Sequence, residues 1–157
     1  MLLRCCRCGE MLPVEAFSKK KECKRGYAYA CRKCYQKRGN ELKTNNVRSY
    51  FADVLKTSKQ MYKKRHISSH SLTLDHLLAL YEKQSGKCAI SGIEMTHTAG
   101  QGAVPTNASI DRIDPTQGYT LDNVQLVCRF INQGKMQMSV EEFKKLMSEA
   151  YHHWQAE

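Results

Sequence analysis

Ala108-Ser-Ile-Asp-Arg-Ile-Asp-Pro-Thr-Gln-Gly-Tyr-Thr-Leu-Asp-Asn-Val-Gln-Leu-Val-Cys-Arg-Phe-Ile-Asn-Gln-Gly-Lys135 is the stretch that decides the fold. Ser109 to Ile113 alternates, with a β-branched residue on either side of an Asp-Arg pair, which predicts a half-buried strand. Asp114 to Gly118 is a turn cluster, because Pro fixes φ and Gly reaches positive φ. Val124, Leu126 and Val127 predict a short second strand, after which Arg129 to Lys135 can turn into helix. If the hairpin folds back on that helix, Asp111 at the end of the first strand faces Asn132. One carboxylate and one amide oxygen leave several positions of Mg²⁺ (or Mn²⁺) to water and phosphate, which is how such a hard ion prefers to be held.

The front of the chain carries an independent signal. Cys5-Cys6-Arg7-Cys8 and Cys31-Arg-Lys-Cys34 are two Cys-x2-Cys knuckles. Four thiolates at this spacing (Cys5, Cys8, Cys31 and Cys34) predict a closed tetrahedral Zn²⁺ site, structural rather than catalytic. Leu12-Pro-Val-Glu-Ala-Phe17 would fill the small core beneath it, with Phe17 as the main apolar body. Cys6 and Cys23 are left over: Cys23 could replace a ligand but lacks a partner at knuckle spacing, and both read as partly exposed free thiols or, for Cys6, as a register ambiguity with Cys5. Disulfides are the rival account of eight cysteines, but no signal-peptide pattern precedes them, and paired knuckles favour metal.

At 157 residues and formal charge +10, the chain suits one compact unit with a small metal-stabilised appendage and a polyanionic partner. Lys and Arg cluster at Lys19, Lys20 and Arg25, at Arg32, Lys33, Lys37 and Arg38, and at Lys63, Lys64 and Arg65. Such runs are commonly solvated faces, yet three of them can neutralise several phosphates. Nothing is long and apolar enough to span a bilayer. Val47, Tyr50, Phe51, Val54, Leu55 and Tyr62 recur at helical spacing, predicting an amphipathic helix from Asn46 to His66. Ile67 to Ser71 reads as a linker. Thr73 is placed as an N-cap, with Leu72 and Leu77 as a hydrophobic staple and the helix from Leu74 ending at Gly86. His76 on that helix reads as a surface or boundary residue rather than a ligand. Ser139-Val-Glu-Glu142 is a capping box that opens a last helix with Phe143, Leu146, Met147 and Ala150 facing inward.

The opening segment resembles the ββα-metal (HNH, or His-Me finger) nuclease motif, in the Ile-Asp-Arg-Ile-Asp…Gly-Tyr…Asn-Val…Asn…Lys form found in phage-encoded HNH endonucleases. The resemblance implies a small α+β fold, with a ββα-metal core packed on helices and an N-terminal zinc-knuckle module. It divides the chain into a zinc module at 1–45, a basic helix and linker at 46–70, and a nuclease core at 71–157. The implied activity is hydrolysis of DNA phosphodiesters with a single divalent metal. In that scheme Asp111 and Asn132 hold Mg²⁺, Asn123 ties the loop and orients the first strand, and Lys135 stands beside the scissile phosphate. The implied partner is double-stranded DNA and the implied location is the cytoplasm of a bacterial host. A homodimer would cut both strands and a monomer would nick.

One departure from the family matters. Where the family usually carries a His after the metal-binding Asp, to deprotonate water, this chain has Arg112. Arginine stays protonated and can contact phosphate but cannot act as a general base. PacI-type restriction nucleases, which the chain resembles along most of its length, also carry Asp-Arg here and use a Tyr from an upstream knuckle. Aligning that knuckle on Gly86 to Gly92 places Ile90 at the Tyr position. His97 and Tyr119 are the nearest titratable candidates for the base, and a metal-bound water deprotonated by solvent is the third route. In related nucleases a second zinc ribbon joins positions that here read Cys88, Ser91, Cys128 and Ile131. That set predicts two thiols packed as small buried hydrophobes; a two-thiolate zinc borrowing a His is the sharper alternative. Two other readings follow from the missing base: a DNA-binding protein that kept the fold with weakened catalysis, and a zinc-ribbon module that binds other proteins.

Overall fold

The computed structural model describes every residue apart from 45, 65, 66, 68, 156 and 157, and only the backbone of Lys43. Arg65 of the third basic run and His66 at the expected helix end therefore lie outside the described residues, as does part of the expected linker. The fold is α+β: two separate two-stranded antiparallel sheets and five α-helices among the described residues.

The N-terminal hairpin pairs β1 (Leu2–Arg4) with β2 (Met11–Pro13), and its loop is the first cysteine knuckle. Its core is small. Cys5, Phe17, Ala30 and Cys31 are buried together, with Leu3, Leu12 and Tyr27 packed against them. Phe17 fills the place expected of it. Arg25 was placed among the DNA contacts, but its guanidinium donates to the carbonyls of Tyr27, Arg4 and Ala28 and lies over the Phe17 and Tyr29 rings. It is a brace of the hairpin, because a planar fork with five donors can satisfy several turn carbonyls at once.

Helix α1 (Arg32–Thr44) begins at the second cysteine pair and α2 (Val47–Lys64) follows almost directly. The predicted amphipathic pattern holds for α2: Phe51 is fully buried, with Val47, Tyr50, Val54 and Leu55 packed around it, while Lys63 and Lys64 are exposed. Phe51 belongs to the main core, so α2 is an integral wall of it. Helix α3 (Leu74–Lys83) starts at the expected Thr73 cap, where His76 completes a reciprocal capping box with Thr73. His76 thus works as a helix-start residue.

The deciding segment folds as β3 (Ala108–Arg112), β4 (Val124–Cys128) and α4 (Arg129–Lys135), with Ile110 opposite Leu126 and Asp111 opposite Gln125. Ile110, Leu126, Val127, Cys128 and Ile131 are buried against Leu77 and Phe51. On the far side of β4, the Gln84 side chain donates to the Leu126 carbonyl at 2.8 Å and accepts from the Leu126 N–H at 3.0 Å. Helix α5 (Val140–Gln155) opens with the predicted Ser139/Glu142 box. Its inward face departs from expectation. Phe143 is buried and Ala150 half-buried, but Leu146 and Met147 are 52% and 40% exposed.

Candidate functional site

Four sulfur atoms, from Cys5, Cys8, Cys31 and Cys34, lie within 4.8 Å of one another. Zn–S bonds of about 2.3 Å put tetrahedral sulfurs about 3.8 Å apart, so a small closure suffices and the cluster could hold zinc. The backbone N–H of Cys31 and then that of Cys8 hold the Cys5 thiol down at about 6, against burial. Such N–H donors favour a thiolate, the form that binds metal.

The second set, Cys88, Ser91, Cys128 and Ile131, shares much of that backbone. In the first knuckle the Cys5 N–H donates to the Glu10 carbonyl and the Gly9 N–H to the Cys5 carbonyl; in the second, Cys88 donates to Ile93 and Gly92 to Cys88. Both turns close through a glycine at positive φ, Gly9 at 76° and Gly92 at 70°. Arg4 pairs with Met11 and Lys87 with Glu94, at identical offsets from the leading cysteine. Cys31 precedes α1 as Cys128 precedes α4. Cys88 and Cys128 are buried in the main core, as the sequence predicts.

Within the β3–β4–α4 unit the loop is tied by one side chain. Asn123, buried, accepts from the Asp114 N–H at 2.9 Å and donates to the carbonyls of Asp114 and Gly118 at 3.0 and 2.9 Å. Its own carbonyl receives the Ile113 N–H. Asp114 adds a second knot: the Thr116 hydroxyl, then the Thr116 N–H and Gln117, hold its carboxyl below the usual range.

Asp111 and α4 meet. Lys135 and Asn132 are three residues apart, on one face of the helix. The Lys135 ammonium lies 3.2 Å from Asp111 Oδ1 and donates to the Arg112 carbonyl at 3.0 Å. Gln125, the cross-strand neighbour of Asp111, donates to its Oδ2 at 2.9 Å. Asn132 donates through its amide nitrogen to Ser109 Oγ at 2.7 Å and to the Ile110 carbonyl at 2.9 Å. The acid and the amide therefore face the same helix–strand junction, yet neither bonds the other. Both are oxygen donors of the kind a hard cation takes. The resemblance puts Lys135 beside the scissile phosphate; its side chain is 0% exposed and that of Asp111 is 4% exposed.

Arg112 points elsewhere, donating to the Gln117 carbonyl at 2.9 Å with its guanidinium 5.4 Å from the Tyr119 ring. A cleft of about 520 Å³ opens beside β3, lined by Ser109, Asn132, Arg129, Tyr119, Tyr50 and Ser58 among others. Tyr119, a candidate base, is on its wall. His97, the other, sits edge-on to Tyr50 with ring centroids 6.2 Å apart. Lys19, Lys20, Arg32, Lys33, Lys37 and Arg38 are exposed.

Sequence reasoning missed three members of this neighbourhood. Ser109 was readable, being two residues before Asp111 and so on the same strand face. Gln125 follows from register. His70 had no sequence signal: the supposed linker forms a parallel bridge with Tyr119, and the rings of His70 and Tyr119 are 5.3 Å apart. Ser58 Oγ donates to the Leu55 carbonyl, so it accepts from His70 Nε2 at 2.9 Å, leaving Nδ1 buried without a partner. Burial lowers the His70 pKa.

No protein-family model matches the chain, and no curated protein matches it. Among solved structures, the chain is similar to the rare-cutting HNH restriction endonuclease PacI, at 20% identity and a TM-score of 0.45 over 96% of each chain. The residue roles that follow rest on this chain's own geometry.

Proposed function

We propose that this chain is a DNA endonuclease whose site is the junction of β3 and α4. The observation that carries the reading is the placement of Asp111 at that junction, with Asn132 and Lys135 on the facing side of one short helix. Asp111 and Asn132 would hold a divalent cation, which when bound neutralises charge that grows on a phosphodiester in the transition state. Asn123 fixes the loop between the strands, and so the position of Asp111. Arg129, on the wall of the cleft, is suited to phosphate oxygens, as the guanidinium fork matches them bidentately. The exposed Lys and Arg of α1 and the hairpin extend the backbone contact, consistent with the charge of +10. Two copies would cut both strands and one would nick.

The buried Lys135–Asp111 pair favours a second reading, a protein that binds DNA without cutting it, because a resident ammonium already neutralises the acid. Plasmid nicking in Mg²⁺ or Mn²⁺, with and without chelator, separates the two. The nuclease reading expects cleavage that Asp111→Ala and Asn132→Ala each reduce at least 100-fold, with DNA affinity in chelator retained. Salt-sensitive binding without any cleavage would support the second reading instead.

A further inference from the structure

We propose that Lys135 acts as an internal counter-cation that withholds Asp111 from divalent metal until DNA is bound, so that metal and DNA enter the site together. The inference rests on the nuclease reading above and names how that site is regulated. Lys135 is not a surface lysine that happens to reach an acid. Its ammonium is enclosed, 3.2 Å from Asp111 Oδ1 and 3.0 Å from the Arg112 carbonyl. Asp111 is equally enclosed, with Oδ2 taken by Gln125 at 2.9 Å. A buried acid is stable as an anion only when paired, and here the pair is complete without any added ion.

Charge counting then decides the order of events. Asn132 is neutral, so Asp111 is the one anion among the candidate ligands. A divalent ion at Asp111 meets attraction from that carboxylate, and repulsion from Lys135 at close range offsets about half of it. The protein alone therefore offers weakened net electrostatic binding. A phosphodiester lying in the cleft beside Ser109 and Asn132 supplies the missing negative charge. By linkage, whatever factor DNA adds to metal affinity, metal adds to DNA affinity. Lys135 is thus a positioning residue: it occupies Asp111 Oδ1 while the site waits for its substrate.

The test reads Mn²⁺ binding by electron paramagnetic resonance, on zinc-loaded protein, alone and with a phosphorothioate duplex. Asp111→Asn with the same duplex subtracts Mn²⁺ held by the DNA itself. Wild type is expected to bind Mn²⁺ at least tenfold more tightly with duplex than without. Lys135→Met, its fold checked by circular dichroism, is expected to bind Mn²⁺ without DNA at least tenfold more tightly than wild type, and Lys135→Met/Asp111→Asn to lose that gain. Equal Mn²⁺ affinity of wild type with and without duplex overturns the proposal, and this arm needs no variant that could misfold. A folded Lys135→Met with unchanged affinity overturns it too. Plasmid cleavage by wild type, abolished in Asp111→Ala, keeps the nuclease reading standing in either of those cases. Absence of cleavage together with absence of Asp111-dependent Mn²⁺ binding in every sample removes both.

Discussion

The knuckle at Cys5–Glu10 and the one at Cys88–Ile93 have the same hydrogen bonds, the same glycine position and the same register in their flanking hairpins. They differ in what lies underneath. The first carries four sulfurs over a core of four buried residues, three of them no larger than Ala or Cys. The second carries two sulfurs, Ser91 and Ile131, over a core built on Phe51, Leu77, Leu126 and Phe143. The turn is thus a backbone device that metal can fasten but need not. Where apolar burial is plentiful, Ile131 and neighbours do the fastening; where it is scarce, as in the N-terminal hairpin, four sulfurs stand where a metal could do it.

The comparison breaks most sharply on metal removal. Structural zinc contributes about 10 kcal/mol or more to such modules. Chelation is therefore expected to release the amides around Phe17 to near-unfolded hydrogen-exchange rates while those of Leu126 to Cys128 stay protected. Equal loss in both regions would show that the hairpin and the main core are one cooperative unit.

Next in size is rebuilding the missing ligands. Ser91→Cys with Ile131→Cys is expected to raise bound zinc from one to two per chain. In the metal-free state the double variant should lose about 2 kcal/mol, the cost of trimming a buried Ile. Metal analysis and thermal melts check both, and a stoichiometry that stays at one would mean that the second backbone cannot close on an ion.

A finer test uses the shared glycines. Gly9 and Gly92 have positive φ and open space where a Cβ would go, so replacement strains the backbone without a clash. Gly92→Ala and Gly9→Ala are each expected to lower stability by about 1 kcal/mol in denaturant titrations. A cost at only one site would show that the two turns are not equivalent.

The smallest effect concerns thiol chemistry. Burial, then neighbouring Cys88, pushes Cys128 up to about 11. It keeps its proton at neutral pH and should resist alkylation in the native state, whereas Cys5 should react once zinc is chelated. Above the ordinary thiol value of 9.0 the unfolded chain ionises first, so Cys128 makes the fold lose stability as pH rises from 9 towards 11. Mass-resolved alkylation across that pH range reads the effect, and labelling of native Cys128 at pH 7 would count against it.

Much of this was legible because it is local. Period-two alternation located β3, the apolar run Val124, Leu126 and Val127 located β4, the Thr73 and Ser139 caps located α3 and α5, and knuckle spacing located the sulfur cluster. What escaped depends on distant partners. Sequence shows that Lys135 is basic but not that the chain closes over it, since a lysine is so seldom enclosed. The pairing of Ser69 to Ser71 with Tyr119 brings together segments nearly fifty residues apart, with no periodicity to announce it. On α5 the apolar spacing of Leu146 and Met147 is real, but periodicity tells which face is apolar and not whether anything lies against it.

The Gln84 amide, clasped to both polar groups of Leu126, has a consequence for how copies of this protein behave towards one another. An open strand flank is a template for chain-to-chain addition, and a single glutamine here imitates the neighbour that such addition would recruit. Gln84, together with the Ala89 N–H that also donates to the Leu126 carbonyl at 3.0 Å, thus helps seal the flank of β4 against self-assembly into filaments.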